Sequence, residues 1–497
     1  MSGPDTRCPE CGSGLIAAKD DTAGSNKQKL IIGAVLLAVV IVIVAAFQMM
    51  RPSLPTSSPA ASSIPSESIG LRLSGSNTIG AVLAPQLVKA WLTSKGATDV
   101  TIAQRKEGGK NIPETVVNGK LNGKVVNVEI RAHGSATAFK HLGDGSADIG
   151  MSSRQINSAE KTALAALGDM NSRSNEHVIG LDGVAVIVAP GNRLSSVARE
   201  DLARIFAGSA SDWSQVGAGS GPIHVFARDD NSGTYDTFRH LVLGNLALVT
   251  NAQRLEDSTE LEAAVGRDPA AIGFVGLPYV KTARAVPVSD SKMTQPLSPT
   301  VFTVKKEDYP LSRRLFFYTA ANPANQNVGD FVRFTQSEAG QQVVKAVGFV
   351  DQNLNIADAR PRQSADRSCT LSNQWPGPKD AYCKLVTGKA DLGTNFRFRT
   401  GSSELDNRAA QDLQRVLKLM TEQAGRRLTL IGFADSQGKY PSNRTLSDNR
   451  ANAVKSALQT LGISNVDVFG FGQEIPVSDN STADGRDRNR RVEIWVN

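Results

Sequence analysis

The length, charge and composition of the chain narrow the classes of protein to which it can belong. Its 497 residues are too many for one ordinary domain, so two or three domains are expected. The formal charge is +7 and 5% of the residues are aromatic, without a basic run interleaved with aromatic side chains, so we expect no nucleic-acid partner. The 5 histidines show no metal-ligand spacing and no nucleophile stands beside a base, so we expect no enzyme activity.

The N-terminal part predicts a membrane anchor. Residues 1–29 form a short head, and the uncharged apolar residues 30–50 are long enough to span a bilayer as one helix. Basic residues just before this span favour a cytoplasmic N-terminus, so we expect a single-pass inner-membrane protein with its main domains in the periplasm. A cleaved signal peptide is the alternative, although Ala45 and Ala46 lie in a poor cleavage sequence. Residues 51–69 are rich in Pro and Ser and predict an extended linker.

The four cysteines fall into two pairs on opposite sides of the predicted span. Cys8 and Cys11 form a CxxC motif, which is half of the ligand set of a zinc ribbon. They either bind zinc together with ligands from elsewhere or are a remnant that binds no metal, and no other cofactor is expected. Cys369 and Cys383 lie on the outer side, where an oxidising compartment favours a disulfide between them.

The outer part divides into two predicted domains. Residues 70–355 alternate short apolar runs with helical patterns, which is typical of α/β layers. Residues 356–385, interrupted by prolines, predict a connector, and residues 386–497 predict a smaller domain of alternating strands and helices. The stretch 104–126 is rich in Gly, Lys and Asn and has no assignment from the sequence.

Three strand-to-helix turns in the larger domain are rich in Ser, Thr and Gly. The first follows a strand at Leu71 and the second contains Ser135. Such turns lie together at the carboxyl ends of strands in open α/β sheets, where ligands bind. The third runs from Arg228 to Thr234, with a helix N-cap expected at Asn231 or Ser232. Free backbone N–H groups and an arginine fork suit a tetrahedral oxyanion, whereas a capped helix with a surface ion pair is the alternative.

These segments, in this order, resemble the phosphate-binding periplasmic proteins of the PstS type. The resemblance implies two α/β lobes joined by a hinge and closing over one oxyanion. The segments that carry it are Ser74–Ile79, Ala147–Arg154, Ile179–Val188, Asp201–Gly208, Asp212–Trp213, Arg228–Thr234 and Ala271–Val275.

The resemblance also implies the binding residues of the oxyanion. They contribute hydroxyl, guanidinium and backbone donors, with Asp230 as the expected partner of Arg228. These positions are Thr78, Ile79, Ser135, Arg228, Asp230, Ser232, Gly233 and Thr234.

One binding position departs from the family pattern. Ser153, followed by Arg154, stands where well-known members have a carboxylate. A buried carboxylate can accept the proton of phosphate and repel sulfate, whereas a serine can donate or accept. We therefore expect a tetrahedral oxyanion, with phosphate favoured and sulfate left open, and Arg154 as an additional cation.

The smaller domain shows a second resemblance. Its second helix has Ser447 as the expected N-cap, and motifs around it, including Gly432–Gly438 and Gly485–Val492, resemble the α+β OmpA-like peptidoglycan-binding domain. The resemblance implies a site for the diaminopimelate of the peptidoglycan stem peptide, with Asp435 on its ammonium and Arg450 on its carboxylate. Asn443 belongs to the same implied site. A structural salt bridge between Asp435 and Arg450 is the alternative, and Arg490 and Arg491 are expected to support the fold or to make contacts near the surface.

Together these features predict an envelope protein that is anchored in the inner membrane. It would bind peptidoglycan and an inorganic oxyanion, for which the resemblance favours phosphate. The bound phosphate would be captured, sensed, or delivered to an ABC permease. The alternative is a structural tether between membrane and cell wall, whose receptor-like domain serves as a spacer or docking module.

Overall fold

The structure is a computed structural model that describes most of the chain after residue 69. The predicted head, span and linker, with Cys8 and Cys11, lie outside the described residues, as does Cys369, so the anchor, the zinc site and the disulfide stay predictions. Within the described part, no helix is both long and apolar enough to cross a membrane. The same part contains no cluster of three or more His, Cys, Asp or Glu suited to a metal. The described residues are 70–107, 110–230, 232–355, 360–361, 379–398, 402, 404–423 and 425–497.

Short strands and amphipathic helices alternate through the larger domain, as the apolar pattern predicts. Its strands are β1 (Gly70–Gly75), β2 (Thr98–Glu107), β3 (Lys110–Leu121), β4 (Lys124–Ala132), β5 (Ile149–Ser152), β6 (Glu176–Val188), β7 (Val197–Ala198), β8 (His224–Arg228), β9 (Gln253–Leu255), β10 (Ala271–Gly276), β11 (Arg284–Ala285), β12 (Val288–Ser289) and β13 (Ser312–Tyr318). Its helices are α1 (Ala84–Ser94), α2 (Ser135–Gly143), α3 (Ser158–Ala163), α4 (Arg199–Phe206), α5 (Gly233–Phe238), α6 (Ser258–Arg267), α7 (Val301–Lys305), α8 (Asn327–Gln336) and α9 (Glu338–Ala346).

The strands form two lobes, which share the long strand β6. The order in the first lobe is β2-β3-β4-β1-β5-β13, and it continues through β6 into the second lobe as β10-β8-β9. Trp91 and Phe331 lie in the first-lobe core, and Phe206 and Phe238 in the second-lobe core. Burial of each such side chain contributes about 1.5–3 kcal/mol, so each lobe has its own hydrophobic core. The unassigned stretch 104–126 proves to lie mainly in β2 and β3, an antiparallel pair at the sheet edge.

The parallel strands of the first lobe bring the predicted turns together. β1 lies between β4 and β5 and is parallel to both. Gly75 at the end of β1 is opposite Ala132 at the end of β4 and Met151 near the end of β5. The residues that follow these strands therefore meet at one edge of the sheet, as the sequence predicts.

The smaller domain is a five-stranded sheet covered by helices. Its strand order is β14-β15-β18-β16-β17, and β15 and β16 are both antiparallel to β18. The elements are β14 (Arg360–Pro361), α10 (Lys379–Val386), β15 (Ala390–Arg397), α11 (Asn407–Glu422), β16 (Leu428–Gly432), α12 (Tyr440–Thr460), β17 (Val466–Gly470), α13 (Ala483–Asn489) and β18 (Arg491–Val496).

Two details of the smaller domain differ from the sequence prediction. Helix α12 begins at Tyr440, with a proline in its first turn, so Ser447 is not its N-cap. The Ser447 hydroxyl instead accepts a hydrogen bond from the Gly472 N–H at 2.8 Å. The second difference is that the end of the predicted connector forms α10, where Tyr382 packs in one core cluster with Phe433. The C-terminal domain therefore begins before residue 386.

Candidate functional site

The third turn carries an arginine with an unused donor. Ser232 caps α5 by accepting the Tyr235 N–H at 3.3 Å, as predicted. Arg228, the last residue of β8, donates through Nη1 to the Ser258 hydroxyl. Its Nε is buried and has no hydrogen-bond partner among the described residues. Buried donors are nearly always satisfied, so this Nε fits an anion at the turn.

The third turn lies directly against the first. A Cβ atom added to Gly233 would lie 1.7 Å from the Thr78 Oγ1 and 2.4 Å from the Thr78 backbone nitrogen. Only glycine permits this approach. It brings together the helical segment that begins at Asn77, which contains Ile79, and the one that begins at Gly233, which contains Thr234. Helix starts carry backbone N–H groups without intrahelical partners, so both lobes present donors to the same point.

The second turn joins the end of β5 through two serines. The Ser135 hydroxyl accepts the Ser153 N–H at 3.1 Å, and the two hydroxyl oxygens are 3.2 Å apart. Both side chains are buried. Ser76 in the first turn is also buried, and its hydroxyl has no hydrogen-bond partner in the described part of the chain. Ser76 is therefore a further candidate donor, which the sequence reasoning did not select.

Two predicted partners of the site are engaged elsewhere. Asp230 does not pair with Arg228, because Arg254 lies opposite Ala227 on the neighbouring strand and donates to Asp230 at 2.8 Å. The Asp230 side chain is 83% exposed. Arg154 donates to both carboxylate oxygens of Glu160, at 2.9 and 2.7 Å, and this hydrogen bonding raises the pKa of Arg154. Its charge is thus already balanced.

Arg313 on β13 is the arginine that contacts the first turn, although its charge is paired with Asp182. Its Nη2 donates to the Thr78 hydroxyl oxygen at 2.7 Å, and Nε and Nη2 donate to Asp182 at 3.2 and 3.0 Å. A guanidinium can only donate, so the Thr78 oxygen accepts and its hydroxyl hydrogen points to another acceptor. The sequence holds a signal that Asp182 has a cationic partner, since it is the one charged residue in the apolar run 178–188 of β6 and a buried charge needs a partner.

We expect Arg313→Gln to weaken oxyanion binding by roughly 10- to 100-fold. The change removes the donor that orients Thr78 and leaves Asp182 without its cation. Calorimetric titration with inorganic phosphate and with sulfate measures the effect. Arg204→Gln, which removes a cation paired with Asp201 on the surface, is the matched control. Equal affinity in a folded Arg313→Gln protein would show that Arg313 does not act on the site.

A cavity of 760 Å³ lies beside these residues. Its lining includes Ser153 and Arg313 from the larger domain and Phe398 and Asp484 from the smaller one. Thr78 and Arg228 are not among its lining residues, so the cavity does not mark the contact point between the turns.

The residues predicted to bind peptidoglycan lie around the loop after β16. Asp435 accepts the Gln437 N–H at 2.9 Å and an N–H of Arg490 at 2.7 Å. It does not pair with Arg450, so the structural salt bridge between these two is absent from the described contacts. Asn443 donates to the Asp435 carbonyl at 3.0 Å and holds the loop in place. Arg490, expected to support the fold or to make contacts near the surface, is thus in direct contact with Asp435.

Arg450 is a buried cation without a carboxylate partner among the described residues. Its Nε donates to the Ser402 carbonyl at 3.1 Å and its Nη1 to the Phe433 carbonyl at 3.2 Å, while Nη2 is buried with no partner. Burial first, and the neighbouring Arg490 second, lower the pKa of Arg450 to about 10, so it is charged at neutral pH. A ligand carboxylate would complete this arrangement.

Comparison with known proteins agrees with the division into two domains. Residues 118–339 match the family model described as a PBP superfamily domain, and residues 397–490 match that of the OmpA family. Protein SphX of Synechocystis sp. is 30% identical over 303 residues, which cover 57% of this chain and 81% of SphX. The phosphate-binding protein PstS of Borreliella burgdorferi is 26% identical over 240 residues, which cover 46% of this chain and 81% of PstS.

The C-terminal domain has relatives of its own. Protein YiaD of Escherichia coli is 37% identical over 108 residues, so the chain spans 49% of the length of YiaD. The order of the two matched regions is the order of the two folded domains. The chain therefore belongs to the PstS-type family of binding proteins, and its residues 397–490 match the OmpA family.

Proposed function

We propose that the protein is a non-enzymatic envelope receptor that binds phosphate, or a similar tetrahedral oxyanion, between its two lobes. The observation that carries this proposal is the contact of Gly233 with Thr78, which directs donors from both lobes to one point. The unpartnered Nε of Arg228 supplies a cationic donor beside it, and the Arg313 contact orients the Thr78 hydroxyl. The relative named as a phosphate-binding protein supports the same ligand.

Calorimetric titration of the protein with phosphate and with sulfate tests this proposal. We expect heat of binding with phosphate, and its loss in Arg228→Ala, because the charge-assisted hydrogen bonds of this side chain disappear. Ser153 cannot repel sulfate as a carboxylate would, so sulfate is expected to compete. Absence of heat with both anions would contradict the proposal and leave the tether as the better account.

We propose further that the C-terminal domain binds the stem peptide of peptidoglycan. Asp435 would bind the ammonium and Arg450 the carboxylate of diaminopimelate, and the hydrogen bond from Asn443 to the Asp435 carbonyl supports this by holding the loop. The match to the OmpA family supports this ligand. The zwitterion would take over one hydrogen bond of Asp435 now made by Arg490 and would use the unpartnered Nη2 of Arg450.

The finer parts of the proposal concern location and transport. The apolar residues 30–50 support an inner-membrane anchor, and the cysteines at 369 and 383 support a disulfide on its outer side. Delivery to an ABC permease is what the resemblance to PstS-type proteins implies for the bound anion. Co-purification of a permease with the detergent-extracted full chain would test delivery, and its failure would favour sensing or capture.

A further inference from the structure

The chain passes from the second lobe to the first through residues 305–311, which we call the crossover. Tyr309 and Leu311 lie in the second-lobe core, whereas Leu315, soon after the crossover, lies in the first-lobe core. All seven crossover residues are buried, although four of them, Lys305 to Asp308, are charged. Buried charges need partners, so the contacts of the crossover decide its conformation.

The C-terminal domain supplies most of those partners. Glu307 accepts from Arg397 at 3.0 Å and lies 3.0 Å from Arg408, and Lys306 donates to Asp391 at 2.7 Å. The same domain also binds the backbone of the crossover. Arg408 donates to the Lys305 carbonyl at 2.8 Å, and Arg488 donates to the Pro310 carbonyl at 2.7 Å. Arg397 donates to the carbonyls of Lys306 and Glu307, at 2.9 and 3.1 Å.

The C-terminal domain also contacts each lobe separately. On the first lobe, Asn407 donates to the Asn171 carbonyl at 2.8 Å and to Glu176 at 3.0 Å. On the second lobe, Ser478 donates to Asp290 at 2.5 Å. One domain therefore bridges both lobes and holds the segment between them.

The crossover is connected to both candidate sites. On the side of the oxyanion turns, Glu307 accepts a hydrogen bond from Arg314. Arg314 follows Arg313 on β13, and Arg313 donates to Thr78. Toward the peptidoglycan site, Arg397 donates to the Asp487 carbonyl at 3.3 Å. The Asp487 carboxylate in turn pairs with Arg490, and Arg490 contacts Asp435 at 2.7 Å.

We propose that docking of the C-terminal domain on the crossover stabilises the arrangement in which Gly233 of one lobe contacts Thr78 of the other, and so sets the affinity for the oxyanion. The proposal rests on the proposed oxyanion binding. It goes beyond that function, because it makes the C-terminal domain a regulator of the cleft. Coupling of binding free energies is reciprocal, so a bound oxyanion must also strengthen the docking.

The test uses the full chain with Glu307→Gln, which keeps the side-chain shape and removes the charge shared by Arg314, Arg397 and Arg408. We expect its dissociation constant for phosphate to rise about tenfold, within the usual range of coupling between sites. Lys418→Gln is the matched control, because Lys418 joins the same two domains through Glu338 but both side chains are more than half exposed. We expect no change in that variant.

Amide hydrogen exchange of residues 305–311 reports whether the crossover has loosened. We expect faster exchange in Glu307→Gln, and slower exchange in the unaltered protein when phosphate is added. Should Glu307→Gln fail to fold, Asp391→Asn removes the Lys306 partner instead. Faster exchange with an unchanged dissociation constant would overturn the inference. Unaltered protein that binds neither phosphate nor sulfate would overturn the proposed function itself, and this inference with it.

Discussion

Replacement of Gly233 by alanine is expected to abolish oxyanion binding while leaving both lobes folded. The added Cβ would lie 1.7 Å from the Thr78 hydroxyl oxygen, so the third turn must move away from the first. The nearby Thr78 backbone nitrogen, at 2.4 Å, cannot rotate aside as a flexible side chain would. A displacement of about 1 Å in a preorganised site reduces its effect about 100-fold, so calorimetry should show no measurable heat with phosphate.

The matched control for this change is Gly191→Ala. Gly191 lies in the same lobe, and a Cβ atom there would have no neighbour within 4 Å. Its affinity for phosphate should equal that of the unaltered protein, and both variants should unfold cooperatively. Phosphate binding that survives in Gly233→Ala would mean that the oxyanion does not bind at the contact of the two turns.

Loss of peptidoglycan binding is expected from Asp435→Asn. Asparagine keeps the shape of the side chain but removes the charge that would pair with the ligand ammonium. A hydrogen bond to a charged group is worth about 1.5–3 kcal/mol, so binding should weaken by roughly 10- to 100-fold. Sedimentation with purified peptidoglycan measures the bound fraction, and Arg450→Lys should lower it as well, because a lysine cannot present the same fork to a carboxylate.

The control for the proposed peptidoglycan site is Asp467→Asn. Asp467 pairs with Arg427 on the surface of the same domain, and both side chains are more than one third exposed. This pair should contribute little to stability and nothing to ligand binding. If Asp435→Asn and Asp467→Asn sediment equally well with peptidoglycan, the assignment of the site to Asp435 is wrong.

Features that depend on neighbours in the chain could be predicted from the sequence. The Ser232 cap and the turns after β1 and β4 follow from local patterns of Ser, Thr and Gly. The apolar spacing of α11 likewise predicts a helix between Leu405 and Met420, and the structure has it at Asn407–Glu422. Ser447 failed as an N-cap because a proline after Tyr440 starts the helix earlier.

Contacts between distant parts of the chain could not be predicted in the same way. Arg313 lies 235 positions from Thr78, and no local pattern joins them. The partner of Asp230 depends on which strand lies beside β8, which places Arg254 within reach. In the sequence alone, the charged run of the crossover resembles a solvated turn, because most of the partners that bury it belong to the C-terminal domain. Sheet order and domain docking decide these pairs.

The burial of the charges around Glu307 has a consequence for salt dependence. The side chains of Glu307, Lys306 and Asp391 are at most 10% exposed, so mobile ions cannot approach the charges closely. Screening acts on exposed pairs over a Debye length of about 8 Å at physiological ionic strength, and much less on buried ones. The association of the two domains should therefore change little between dilute and saline media, whereas the exposed pair of Lys418 with Glu338 should weaken. The two domains should therefore keep one relative arrangement at low and at high salt.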